Sequence, residues 1–162
     1  MKPLIDALSR LESHAVAIAE RTEHMPMVLV FLDEKTSIPV GIAGAKTVPQ
    51  MLEVVRETCA QMHPQMAVFI NEGWGVREDA PPAIRQRVLD GMSRVSRLLP
   101  EHRVETLVLY GEDWDGNWAL TVFNINARQA GGVVLSHRAN SQESDTELST
   151  TMRNFVPRRT YA

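Results

Sequence analysis

Apolar positions in this chain follow a helical period in some stretches and run unbroken in others. Leu4, Leu8, Leu11, Ala15 and Ile18 recur at 4-3-4-3 spacing, which draws one apolar stripe along a helix over residues 3–21. Arg10, Glu12, Glu20 and Arg21 fall off that stripe. Residues 26–32 (PMVLVFL) are apolar throughout. A strand of this kind is buried on both faces and belongs inside a sheet. A polar turn at 33–37 leads to a second short strand at 38–43, and the pair predicts an antiparallel hairpin. Pro39 has no amide hydrogen to give a ladder, which places the second strand at an edge.

Thr47-Val48-Pro49-Gln50 has the form of a capping box. The Thr47 hydroxyl can accept from the Gln50 amide while the Gln50 side chain bonds back. The helix it opens carries Val48, Met51, Leu52, Val55, Cys59 and Met62 on its apolar stripe, and Pro64 bounds it, because the residue before a proline avoids the helical region. Residues 66–71 (MAVFIN) predict a core strand. It is expected to leave the sheet through Glu72-Gly73-Trp74-Gly75 and a charged loop, Arg77-Glu78-Asp79. Pro81-Pro82 then suits the first turn of a third helix, with Ile84, Val88, Met92, Val95 and Leu99 facing inward and Pro100 as its stop.

A meander follows, with strands at 104–111 and 118–125. Asp115-Gly116 between them predicts a two-residue type I′ turn, which needs positive φ at both positions. That turn sets Asp113 opposite Trp118, Leu109 opposite Val122 and Val108 opposite Phe123. Val108, Tyr110, Thr121, Phe123 and Ile125 then share one face, and Leu107, Leu109, Leu120 and Val122 the other. Both faces are apolar and need cover, from helices or a partner subunit. Residues 131–137 predict a last strand. Ser144-x-x-Glu147, with Leu148, Met152 and Phe155 beyond it, predicts a short helix at 145–155. Residues 157–162 are expected to fray. The order α-β-β-α-β-α-β-β-β-α describes a single α+β domain over residues 1–156, with helices packed on one mostly antiparallel sheet.

Composition narrows the function classes. The chain has 162 residues and a net charge of -3, which argues against bulk electrostatic binding of nucleic acid or anionic lipid. Asp6 and Arg10 interrupt the stretch where a signal peptide needs continuous apolarity. The run Met27 to Leu32 is far short of the ~20 residues that span a bilayer. Cys59 is the only cysteine, so neither an intrachain disulfide nor a cysteine-built zinc site is available. A cytoplasmic protein without membrane attachment is expected.

The motif inventory is mostly negative. The chain holds no G-x-S-x-G, G-x-x-x-x-G-K-[ST], G-x-G-x-x-G or H-E-x-x-H. Asp113-x-Asp115-Gly116 superficially suggests a calcium loop, but the positions that need Gly and bidentate Glu hold Trp118 and Asn124. The five histidines form no tight cluster, and no cofactor or metal is expected. Cys59, on an apolar helix stripe, reads as a small buried hydrophobe rather than a nucleophile.

Two groups remain as candidate chemistry. Glu72 follows an apolar strand where glycines bracket Trp74. It could act as a general base or polar anchor, with Trp74 as a stacking wall and Arg77 as an anion contact. Arg87, Arg94 and Arg97 are expected on one face of the third helix. That face is either a phosphate or nucleic-acid stripe or a solvated surface, and the overall acidity favours the second. The reading that follows is a non-enzymatic protein that binds a partner or small ligand and self-associates as a homodimer. Accessory and inhibitor proteins of bacteria and phages belong to this class. A small enzyme built around Glu72 is one rival, and a nucleic-acid binder the other.

Overall fold

The computed structural model describes residues 2–21, 26–129, 132–141 and 154–161. In chain order these form α1 (Lys2–Glu12), α2 (Ala15–Arg21), β1 (Met27–Phe31), β2 (Ser37–Gly41), α3 (Val48–Met62), β3 (Met66–Val76), α4 (Pro82–Leu89), β4 (Arg103–Asp113), β5 (Trp118–Gln129) and β6 (Gly132–Ser141). The strands make one sheet in the order β2-β1-β3-β4-β5-β6. Every neighbouring pair is antiparallel, so the α+β class holds. The Pro39 strand lies at an edge with Pro39 opposite Leu29, and β1 lies inside between β2 and β3.

Local chemistry sets the helix ends. Thr47 Oγ1 accepts from the Gln50 amide at 3.3 Å, while Gln50 Oε1 takes the Lys46 amide at 2.8 Å. The box therefore closes one residue earlier than its usual form. α3 ends at His63, whose backbone is left-handed at φ 48. The N-terminal stretch is two helices rather than the expected one. Ser13 Oγ donates to the Arg10 carbonyl at 2.7 Å and the His14 amide closes back on Leu11 at 3.0 Å. A serine that offers the backbone such a bond competes with the helical ladder.

Both sheet faces are covered from within the chain. On one, Leu4, Ala7 and Leu8 of α1 join Val68, Ile70, Leu107 and Leu109. An added Cβ at Gly111 would lie 2.7 Å from Leu4 Cδ1, so glycine there lets α1 approach β4. On the other face Leu52, Val55 and Cys59 of α3 meet Phe69, Tyr110 and Leu120, with Phe155 and Val156 from the chain's far end. The homodimer was expected as one way to cover an apolar sheet. These helices do that work, so the core itself does not demand a second copy.

The meander register differs by one residue from the expected pairing. Glu112 faces Trp118, Leu109 faces Thr121 and Val108 faces Val122. The turn holds three residues, not two. The Gly116 amide closes on the Asp113 carbonyl at 3.1 Å, the Asp113 amide on Asn117 at 3.0 Å, and only Gly116 has positive φ, at 89°. Asp113 selects this loop: its carboxylate accepts from the amides of Asp115 and Asn117 at 3.0 and 2.9 Å and from Asn117 Nδ2 at 2.8 Å. A three-residue loop closing on a left-handed glycine is the next most common hairpin. The slip exchanges the faces of β5. Leu120 and Val122 join Val108 and Tyr110 toward α3, while Ala119, Phe123 and Ile125 join Leu107 and Leu109.

Two further boundaries move. β3 continues through Val76 instead of ending at Asn71, because its glycines pair in the ladder with Thr106 and Val104. The third helix stops at Leu89 instead of Leu99. Gly91, at φ 71, ends it: the Met92 amide returns to the Arg87 carbonyl at 2.9 Å and the Gly91 amide to Val88 at 3.0 Å. This is a Schellman closure. Only a short 3-10 turn, Val95–Arg97, and another, Pro100–His102, follow before β4. The helix expected at 145–155 lies outside the described residues up to position 153, and Asn154 and Phe155 are not helical.

Candidate functional site

Glu72 and Trp74 lie in β3, not in a loop, opposite Leu107 and Glu105 of β4. Strand alternation puts both on the face of Ile70, which packs toward α1. Trp74 is 42% exposed, and the Arg103 guanidinium covers its ring 4.2 Å from the centroid. Arg103 also donates to the Ser96 carbonyl. The stacking partner of this tryptophan is thus the chain's own arginine.

Arg77 lies past the strand end. Its Nε and Nη2 grip Asp79 at 2.9 and 3.3 Å, a two-pronged pair. The hydrogen bonds raise the Arg77 pKa and lower that of Asp79. Arg85 Nη2 clamps the same turn through the carbonyls of Arg77 and Glu78, at 3.2 and 2.9 Å. A cleft of about 270 Å³ lies here, lined by Arg77, Glu78, Asp79, Val104, Asn124 and Asn126. Alternation puts Val104 and Asn124 on the α3 side of the sheet, with Val108 and Val122. Glu72 and Trp74, on the opposite face, do not line it. The trio of Glu72, Trp74 and Arg77 is therefore not gathered into one site.

Cys59 is fully buried, and burial, with some help from Glu112, pushes its thiol up to about 12. That suits a packed side chain and not a nucleophile, which needs an accessible thiolate. Glu112 was not among the residues singled out from sequence. It is 1% exposed, and burial pushes its carboxyl up to about 7 against the pull of Arg158 and of the Asn154 amide. Asn154 donates to Oε2 at 2.8 Å and Arg158 Nη1 lies 3.8 Å from Oε1. The signal was alternation: Glu112 shares the face of Tyr110, so a strand with that face buried must bury the carboxylate too. Where a frayed end is expected, Arg158, Arg159 and Tyr161 each have a partner on the β4–β5 hairpin.

The three arginines of the expected helix face do not share one. Arg87 lies in the last turn of α4, Arg94 precedes the 3-10 turn, and Arg97 closes it. Arg94 and Arg97 nevertheless meet in a cleft of about 300 Å³ with Gly91, Met92, Ser93 and Leu98, and among the described residues no carboxylate lines it. Leu89, Met92 and Leu99, of which Met92 and Leu99 were expected inward, are 63%, 70% and 60% exposed.

Among the described residues, no group of three or more His, Cys, Asp or Glu side chains is placed to hold a metal ion, and no helix is long and apolar enough to cross a membrane. Comparison with family models, curated proteins and solved structures returns no match. The functional reading therefore rests on the geometry above.

Proposed function

We propose that this chain is a non-enzymatic binding protein whose partner is an acidic protein segment bearing apolar side chains, captured on residues 82–99. The observation that carries the reading is the exposure of Leu89, Met92 and Leu99 within one short connection. Large apolar side chains clustered on a surface and ringed by polar groups are the usual mark of a docking site. The same stretch holds Arg85, Arg87, Arg94 and Arg97 against Asp90 alone, a local charge of +3 in a chain of net charge -3. Arginine beside exposed apolar groups suits an interface whose partner brings carboxylates.

The test is fluorescence anisotropy of a labelled synthetic helix of alternating Glu and Leu turns, titrated with the full chain. Binding in the micromolar range, weakening as salt rises, is expected. Replacing Leu89, Met92 and Leu99 together by Ser should weaken it by about tenfold or more, with the melting temperature retained because all three are exposed. Binding that survives the triple substitution, or none at low salt, removes the reading. Light scattering on the same sample reads self-association: a dimer lost in the triple variant makes a second copy the occupant, and a monomer at high micromolar concentration removes the homodimer.

A further inference from the structure

The last described residues build a second site. A cleft of about 310 Å³ lies between the end of α3, the β4–β5 hairpin loop and the C-terminal stretch, lined by His63, Trp114, Pro157, Arg158, Arg159 and Thr160 among others. Among the described residues, no carboxylate lines it. We propose that this cleft binds a small phosphate-bearing anion, held by the guanidinium groups of Arg158 and Arg159 and by Thr160. The site is independent of the surface at residues 82–99.

Arg159 is the centre of the argument. Its main-chain amide donates to the Trp114 carbonyl at 2.9 Å. Its guanidinium carbon lies 4.8 Å from the Trp114 ring centroid and 5.0 Å from that of Tyr161. Tyr161 is anchored in turn by its hydroxyl, which donates to Asp115 Oδ1 at 3.0 Å. An arginine stacked on two rings has its rotamer chosen while the N–H donors along its edge stay available. Among the described residues no acceptor takes those hydrogens and no carboxylate pairs with the group. A fixed fork without an anion is a preorganised anion receptor.

Arg158 adds a second charge. Its Nη2 donates to Asn154 Oδ1 at 2.7 Å, and its only carboxylate neighbour among the described residues is Glu112, at 3.8 Å. Burial keeps that carboxyl partly protonated near neutral pH, so Arg158 is not cancelled by it. The end of α3 at His63 works the other way, since a helix C-terminus carries about half a negative charge. Two full guanidinium charges outweigh it. Phosphate fits better than a carboxylate, because the Arg159 fork, the remaining Arg158 hydrogens and the Thr160 hydroxyl are spread over more directions than two coplanar oxygens present.

The experiment is an amide and arginine side-chain NMR titration of the full chain with inorganic phosphate, then with phenyl phosphate, at low salt. Saturable shifts at Trp114, Arg159 and Thr160 are expected. Arg159→Ala should weaken binding by about tenfold or more, and Arg159→Lys, which keeps the charge but not the fork, by a smaller factor of roughly three to five. If the alanine variant loses the docked chain end, the lysine variant decides. Arg10→Ala, on α1, should change nothing. Tighter binding of phenyl phosphate assigns an organic phosphomonoester, and equal binding assigns phosphate itself. Shifts that stay linear to high concentration, or that are untouched by Arg159→Lys, overturn the proposal.

Discussion

The backbone amide of Asn154 donates to Glu112 Oε2 at 2.8 Å, tying the chain's last described stretch to the end of β4. The bond closes over a carboxylate that is 1% exposed, so docking the stretch and desolvating the acid are one event.

That coupling predicts a pH dependence. The Glu112 carboxyl titrates near 7 in the folded protein against an ordinary 4.5. A raised carboxyl pKa means that the folded state binds the proton more tightly than the unfolded state. Stability from this group is complete below about 4.5, falls as pH rises toward 7, and levels above. The drop is on the order of 3 kcal/mol. Urea unfolding at pH 5, 6, 7 and 8 should show it, and Glu112→Gln should flatten the profile. A wild-type stability that rises across this window would contradict the assignment.

Gly111 and Leu4 form a close contact in which any larger residue must displace the Leu4 side chain. Gly111→Ala should destabilise by about 1–3 kcal/mol through overpacking, since its Cβ would meet Leu4 Cδ1 at 2.7 Å. The double variant with Leu4→Ala should cost less than the two single changes summed, because each relieves the other. Strict additivity in denaturant unfolding would show that the contact does not limit the approach of α1.

Thr121 is 2% exposed and donates to Glu12 Oε1 at 2.7 Å. Thr121→Val keeps the shape and strands the acceptor, for a loss of about 1–2 kcal/mol. Glu12→Gln should cost less, since the amide oxygen still accepts. Chemical denaturation of both variants tests the order.

Cys59 should resist thiol reagents in the native state, because its thiol is buried and pushed up to about 12. Reaction with an aromatic disulfide should proceed only through unfolding and accelerate with urea. Rapid stoichiometric labelling of folded protein would contradict this.

Much of the framework was legible from local chemistry. The Pro39 edge, the Thr47 cap, the end of α3 before Pro64 and the burial of Cys59 each follow from one residue's hydrogen-bonding capacity or from one apolar stripe. The structure departs from the local pattern where two local signals compete. Asp115-Gly116 reads as a two-residue turn, but the Asp113 carboxylate, four residues from Asn117, closes a loop one residue longer. Asp90-Gly91 carried a helix stop that the apolar period running on to Leu99 outweighed. Glycines at 73 and 75 read as a strand exit, although a ladder against β4 accepts them.

By itself the sequence determined the α+β class, which stretches are apolar and most helix starts, because these depend on neighbours within about one turn of chain. Which residues share a site did not follow from it. Glu72 and Arg77 are five positions apart and were separated by sheet geometry. Glu112 and Arg158 are far apart in sequence and were brought together by the docking of the chain end on the hairpin. A side chain's burial, charge and partner are set by contacts between distant segments, and only the tertiary structure decides those.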